Sequence, residues 1–274
     1  MEIFSNEPWH LIALGGFAVG FLVGLTGVGA GALTTPMLIS GFGVAPAFAV
    51  GTDLLFASIT KMAAAWRHHK YGNIHWRVLG MLASGSLVAT LATLAWLHFL
   101  APDTESLAVV IRRGLAIALV FSACAIPLIP LLMRIQDSPI DGVADVRPLW
   151  TILFGLFLGV VVTLTSVGAG AIGVAVLSLL YPSMRPRRIV GTDIVHAVPL
   201  ALLAGLGHLS MGHVKVDLLF ALLLGSVPGI ILGSRLIGYV PDWLLRVILA
   251  CVLLLAAYML VGEDDFSFLA WIGG

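Results

Sequence analysis

The sequence predicts an all-α, polytopic membrane protein made of two inverted repeats, each with a broken, re-entrant helical hairpin. Three observations carry this. Of the 274 residues 60% are apolar, only 10% are Asp, Glu, Lys or Arg, and the mean hydropathy is +1.09; a soluble domain carries about 25% charged residues to cover its wet surface. The 42 residues from Leu11 to Thr52 include no Lys, Arg, His, Asp or Glu. One crossing of an apolar layer about 30 Å thick takes about 20 residues, so this run must turn back or break inside the bilayer. Finally, the chain repeats itself. Thr26-Gly-Val-Gly-Ala-Gly-Ala32 returns as Thr165-Ser-Val-Gly-Ala-Gly-Ala171 at an offset of 139, and Val50-Gly-Thr-Asp53 as Val190-Gly-Thr-Asp193 at an offset of 140. At the same spacing His68 meets His208, Gly72 meets Gly212 and Gly85 meets Gly225.

In order along the chain, further apolar segments run from Leu54 to Trp66, Val78 to Leu100, Leu115 to Leu132, Leu149 to Tyr181, Ile189 to Leu206, Leu218 to Leu236 and Leu244 to Val261. The run from Leu149 is again too long for one span and mirrors the first. The repeats therefore occupy residues 1–133 and 149–274, joined by a polar linker over 134–148. Glu2 and Glu7, with no Lys or Arg, precede the first run, which is unlike the basic start of a cleavable signal peptide. The net charge is zero, so no basic field is available for a nucleic acid. Cys124 and Cys251 stand alone in apolar runs and read as small apolar residues.

Charge in the short loops sets the orientation. Arg67, Lys70 and Arg77 cluster in one loop, Arg134 and Arg147 flank another, and Arg185, Arg187 and Arg188 crowd a third, which places all three in the cytoplasm. The acidic segments around Asp103 to Glu105 and Glu263 to Asp265 then lie outside; Arg112 and Arg113, near that outer side, are expected to snorkel or to pair with Asp103 and Glu105. The loop at His68 to Ile74 is basic, yet its counterpart at His208 to Val214 has only Lys215 beside it. Oppositely oriented halves account for that contrast, and transporters with such repeats bind substrate at the midplane, where the repeats meet.

The glycine motifs supply the candidate site. A run such as Gly27 to Gly31 within apolar sequence disfavours helix, and open backbone at membrane depth is tolerated only where protein buries it or it lines a cavity. New helices are expected to begin near Ala30 and Ala169, and second ones at Gly51-Thr-Asp53 and Gly191-Thr-Asp193, with their N-H groups converging on an anion. Gly29, Gly31, Gly168 and Gly170 supply the backbone, and Thr26, Thr34, Thr35, Thr165 and Ser166 add hydroxyls. A packing face of small residues is the competing reading. Asp53 and Asp193 read either as caps of the helices that follow or, for one of them, as the carrier of a coupling proton or cation. Lys61, opposite Ala201 in the other repeat, is either a counter-ion for the anion or a snorkelling lysine. His196, opposite Phe56, is either a substrate or proton contact or a packing histidine. His68, His69 and His75 have no Cys or carboxylate cluster beside them, so neither metal nor cofactor is expected.

Gly27-Val-Gly-Ala-Gly31 followed by Pro36, the segment Val50-Gly-Thr, the loop His69-Lys-Tyr-Gly-Asn-Ile-His-Trp76 and Gly225-Ser-Val-Pro-Gly-Ile-Ile-Leu-Gly-Ser-Arg235 together resemble the TauE/SafE family of sulfite and organosulfonate exporters. The resemblance covers nearly the whole chain. It implies a multi-pass bacterial inner-membrane carrier that exports small sulfur oxyanions such as sulfite, sulfoacetate or related sulfonates. An anion channel, or a carrier for another small carboxylate or oxyanion, fits the same residues. An intramembrane hydrolase would need a nucleophile or zinc motif, and neither Gly-x-Ser-x-Gly nor His-Glu-x-x-His occurs. The oligomeric state is not written in the sequence.

Overall fold

The computed structural model describes residues 9–26, 31–99, 104–134, 146–236, 239 and 241–261. Among them there is no strand, and eight helices are long and apolar enough to cross a bilayer. The first half comprises α1 (Trp9–Thr26), the short α2 (Gly31–Pro36) continued by a π-helical turn over Met37–Gly41, α3 (Pro46–Lys70), α4 (Trp76–Phe99) and α5 (Thr104–Arg134). The second repeats this order as α6 (Pro148–Thr165), α7 (Ala171–Leu180), α8 (Pro186–Ser210), α9 (Val216–Arg235) and α10 (Asp242–Val261). The two over-long apolar runs are divided as expected: the second breaks at 166–170 between α6 and α7, and the first is shared between the separate helices α1 and α2. Residues 27–30, including Gly29, and most of the linker lie outside the described residues.

α2 and α7 each belong to a return. Tyr181, just past α7, shares a hydrogen bond between hydroxyls with Thr151 in the first turn of α6, so α7 comes back toward the side on which α6 began. In the first half Met37 and Phe42 lie against Gly15 of α1 in the same way. The ten residues of α7 span about 15 Å, half the apolar layer. Pro36 has no N-H to donate into the turn before it, and the helix widens to π geometry immediately after it.

The main helix pairs each take one member from each half: α1 with α9, α4 with α6, α3 with α8, and α5 with α10. The α1/α9 pair is drawn together by glycine on both faces. A Cβ on Gly16, Gly20 or Gly24 would run into the backbone of Leu222, Ser226 or Ile230, and one on Gly225, Gly229 or Gly233 into Ala13, Phe17 or Phe21. Both sequences ascend together, so these helices are parallel and in backbone contact, where small residues take the place of the hydrophobic drive absent in lipid. Helices α3 and α8 instead run antiparallel: Gly51 abuts His208 and His213, Gly205 abuts Leu55, and Gly191 abuts His68 and Asn73.

Large apolar side chains cover the periphery, among them Leu14, Val88, Phe121, Phe157, Phe220 and Leu255. Trp66, Trp76, Trp150 and Trp243 stand exposed at the helix ends beside the basic loops, where amphipathic rings favour the headgroup layer. Cys124 and Cys251 are free thiols on the same periphery.

Candidate functional site

The Val-Gly-Thr-Asp motifs do not start helices. α3 begins at Pro46 and α8 at Pro186, each with proline in its first turn, so Asp53 and Asp193 sit in the second turn and cap nothing. Each motif position has another task. Gly51 and Gly191 let the carbonyls of His213 and Asn73, from the loops of the opposite half, come against the helix. Thr52 Oγ1 accepts the Lys215 N-H at 3.1 Å, and Thr192 Oγ1 accepts the His75 N-H at 2.9 Å, so the halves latch each other twice through equivalent atoms. The carboxylates point the other way, to the broken hairpins.

There the symmetry ends. Asp53 is held through one oxygen: Thr35 donates to its Oδ2 at 2.6 Å, Thr34 and Ser166 lie beside it, and Gly31 is close enough that a Cβ would touch Oδ2 at 3.3 Å, while Oδ1 is buried without a partner. Asp193 has no side-chain hydrogen-bond partner: its oxygens are buried against Gly173, with the Gly170 backbone N-H beside them. Lys61 reaches across from α3 to the second break, where Nζ donates to the Ala169 carbonyl at 3.1 Å and faces both Asp193 and Asp53. One cation thus stands between two buried carboxylates, one from each half.

The backbone of the second break is held open by left-handed residues: Ser166 at φ 60°, Gly168 at 127° and Gly170 at 129°, the last two accessible in practice only to glycine. The α7 N-terminus that follows is not capped by a side chain. Gly170 and Ala171 line a cavity of about 460 Å³ together with Thr26, Thr60, Lys61, Arg67, Asp193, Ser234 and Arg246. Lys61 lies nine residues, or about 14 Å, from the end of α3, and Arg67 about 9 Å nearer that end. The cavity therefore runs from the basic loops toward the middle of the layer. Thr165, Ala201, Ala204 and Val50, the sequence counterparts of Thr26, Lys61, Ala64 and Val190, are all buried and line no part of this cavity.

Of the residues predicted from sequence, Thr26, Lys61, Gly170 and Asp193 come together on this cavity. Thr34, Thr35, Gly31 and Ser166 gather around Asp53 instead. The hydroxyls of Thr26 and Thr165 both donate to carbonyls of their own helices, Leu22 and Val161, at 2.7 Å. His196 is fully buried away from the cavity, with Nε2 2.7 Å from Ser86 Oγ. Among the described residues no group of His, Cys, Asp or Glu has the arrangement of a metal site. Arg67 and Arg246 on the cavity wall were missed as site residues. Arg246 was visible as the one basic residue of an otherwise apolar helix, but nothing in the sequence shows that it turns to the same cavity as Lys61.

A family model described as "Sulfite exporter TauE/SafE" matches residues 12–260. The chain is 35% identical over 257 residues to the Bacillus subtilis "Probable membrane transporter protein YjnA", covering 91% of this chain and 98% of that one. It is also 24% identical to YdhB of the same organism, covering 86% and 93%, and 26% identical to MJ0441 of Methanocaldococcus jannaschii, covering 89% and 91%; both bear the same descriptive name. No solved structure matches. With eight membrane-length helices among its described residues and these relatives, the protein is a multi-pass membrane transporter rather than an enzyme, and the chain belongs to the TauE/SafE sulfite exporter family.

Proposed function

We propose that the chain carries a small sulfur oxyanion, such as sulfite, sulfoacetate or another organosulfonate, out across the inner membrane, with its binding site in the cavity where the two halves meet. The observation that carries the reading is the meeting on one cavity of Lys61, the uncapped N-terminus of α7 and Asp193, a buried carboxylate with no side-chain partner. A lysine in an apolar span is costly to keep unless it has work there. The N-H groups at the start of α7 add positive potential at the same place. Residues 1–133 and 149–274 form the two repeats; the antiparallel run of α3 and α8 and the two equivalent threonine latches support their inverted relation.

Charge balance supports a coupled proton. With Asp53 and Asp193 both ionised, Lys61 already faces one negative charge too many, and an arriving anion adds another. A proton on Asp193, the carboxylate that borders the cavity, removes that repulsion. Asp53, held by Thr35, keeps Lys61 in place through the cycle. The open cavity lies on the side of Arg67, Lys70 and Arg77, which the charge bias assigns to the cytoplasm, so this state is ready to load from inside. Exchange of the open and packed sides between two related halves would release the anion outside.

Flux into proteoliposomes tests the carrier against the channel. Saturable uptake of sulfite or sulfoacetate with counterflow, driven by a proton gradient, is expected. Unsaturable flux that follows voltage alone would make the protein a channel, and flux of phosphate or a simple carboxylate without flux of any sulfur anion would move the substrate elsewhere.

A further inference from the structure

The cavity wall carries a second partly buried cation, Arg246, that the anion site at Lys61 does not use. Arg246 lies in the first turns of α10 and is half-buried, in a helix whose remaining residues after Asp242 are uncharged. Its position has a local cause. Pro130 in α5 has no N-H, so the carbonyl of Ile126, four residues earlier, is left without its helical donor. Arg246 Nη1 reaches that carbonyl at 3.5 Å, which holds the guanidinium against α5 through one long contact. A guanidinium carries five N-H donors in a rigid fork, matched to the oxygens of a carboxylate or sulfonate. Since Arg246 also lines the cavity, most of that fork is available to a ligand there. Arg67 shares the wall but is exposed, where water and salt weaken it.

Lys61 lies about 14 Å along α3 from its end at the basic loop, whereas the half-buried Arg246 lies only four residues, about 6 Å, from the start of α10, and both line the cavity. The same cavity has apolar wall from Val23, Ala64, Ile129, Met133 and Val174. We propose that the cavity reads two-headed dianions: one anionic head sits at Lys61 and the break, and a second, at the other end of a short carbon chain, is gripped by Arg246. This rests on the anion site proposed above and adds a second selection to it. A one-headed anion of the same chemistry uses Lys61 alone and gains little from Arg246.

Calorimetry on purified full-length protein with sulfoacetate and methanesulfonate tests the assignment. Wild type is expected to favour sulfoacetate. Arg246→Gln should weaken sulfoacetate about 10-fold or more, the loss expected for one charge-assisted contact, and change methanesulfonate less than about 2-fold. Arg246→Lys keeps a charge without the fork and should fall between, with native unfolding behaviour showing that the protein is intact. Equal weakening of both ligands, or none for sulfoacetate, would overturn the second head site while leaving the first. If wild type binds neither anion, the anion site itself fails and this inference with it.

Discussion

The two threonine latches are the feature through which the packing of the halves is most directly measured. Thr52→Val and Thr192→Val each replace a fully buried hydroxyl by a methyl of similar volume, so the main loss is one hydrogen bond that joins a helix of one half to a loop of the other. The N-H groups of Lys215 and His75 lose that acceptor in half-buried positions, at a cost of roughly 1–2 kcal/mol each. For a chain of this size that corresponds to a fall in Tm of roughly 2–8 °C per substitution. The two latches lie at opposite ends of the α3/α8 pair and share no partner, so the double variant should lose about the sum. Thr93→Val is the control, because that hydroxyl bonds the Ala89 carbonyl within its own helix and its loss should cost little. Thermal unfolding of the detergent-purified protein, followed by tryptophan fluorescence, reads all four. Variants no less stable than the control would refute the latches, and a loss at one threonine but not the other would refute their equivalence.

Other outcomes follow from the same geometry. In a background of Cys124→Ala and Cys251→Ala, which should transport normally because both thiols lie on the periphery, cysteines placed at Asn73 and Ser183 should label from the cytoplasm and one at Ser210 from outside; labelling of Asn73 and Ser210 from one side would contradict inverted halves. Gly168→Leu should abolish transport in correctly inserted protein, since φ 127° admits no Cβ without rebuilding the break, and normal flux would show that the break is not part of the site. His75 gives a pH dependence. Its Nδ1 accepts the Val78 N-H at the start of α4, and burial first, then Arg188 and Arg77, hold its pKa below the ordinary 6.5. The unfolded chain therefore takes up the proton first, and stability is lost as pH falls below about 6.5. His75→Asn keeps an acceptor without a titration, so it should be less acid-sensitive than wild type; identical pH profiles would show that His75 is not the group responsible.

Much of this was legible from charge and periodicity alone. The 42-residue uncharged run and its partner from Leu149 are each too long for one helix in the layer, and the chain divides them, the first into α1, α2 and the start of α3 and the second into α6 and α7. Helix starts were less legible. Gly51-Thr-Asp53 looks like a cap in isolation, but Pro46 and Pro186, each at a first turn, set the starts earlier. That error hid the role of the two threonines, whose partners are 163 and 117 residues away. The asymmetry between Asp53 and Asp193 was also hidden, since it depends on which side of two nearly equal halves is open. Arg246 could not be placed because its anchor is a carbonyl freed by a proline on another helix.

The central claim is that the cavity beside the second break binds an anion and that Lys61 holds it. Calorimetric titration of wild type and Lys61→Ala with sulfoacetate, and of wild type with the zwitterion taurine, tests this most directly. Sulfoacetate should bind more tightly than taurine, and Lys61→Ala should weaken it by about 1.5–3 kcal/mol, roughly 10-fold to 150-fold. Tighter binding of taurine, or unchanged affinity for sulfoacetate in Lys61→Ala, would mean that Asp193 and Asp53 dominate the cavity and that the anion is not held there.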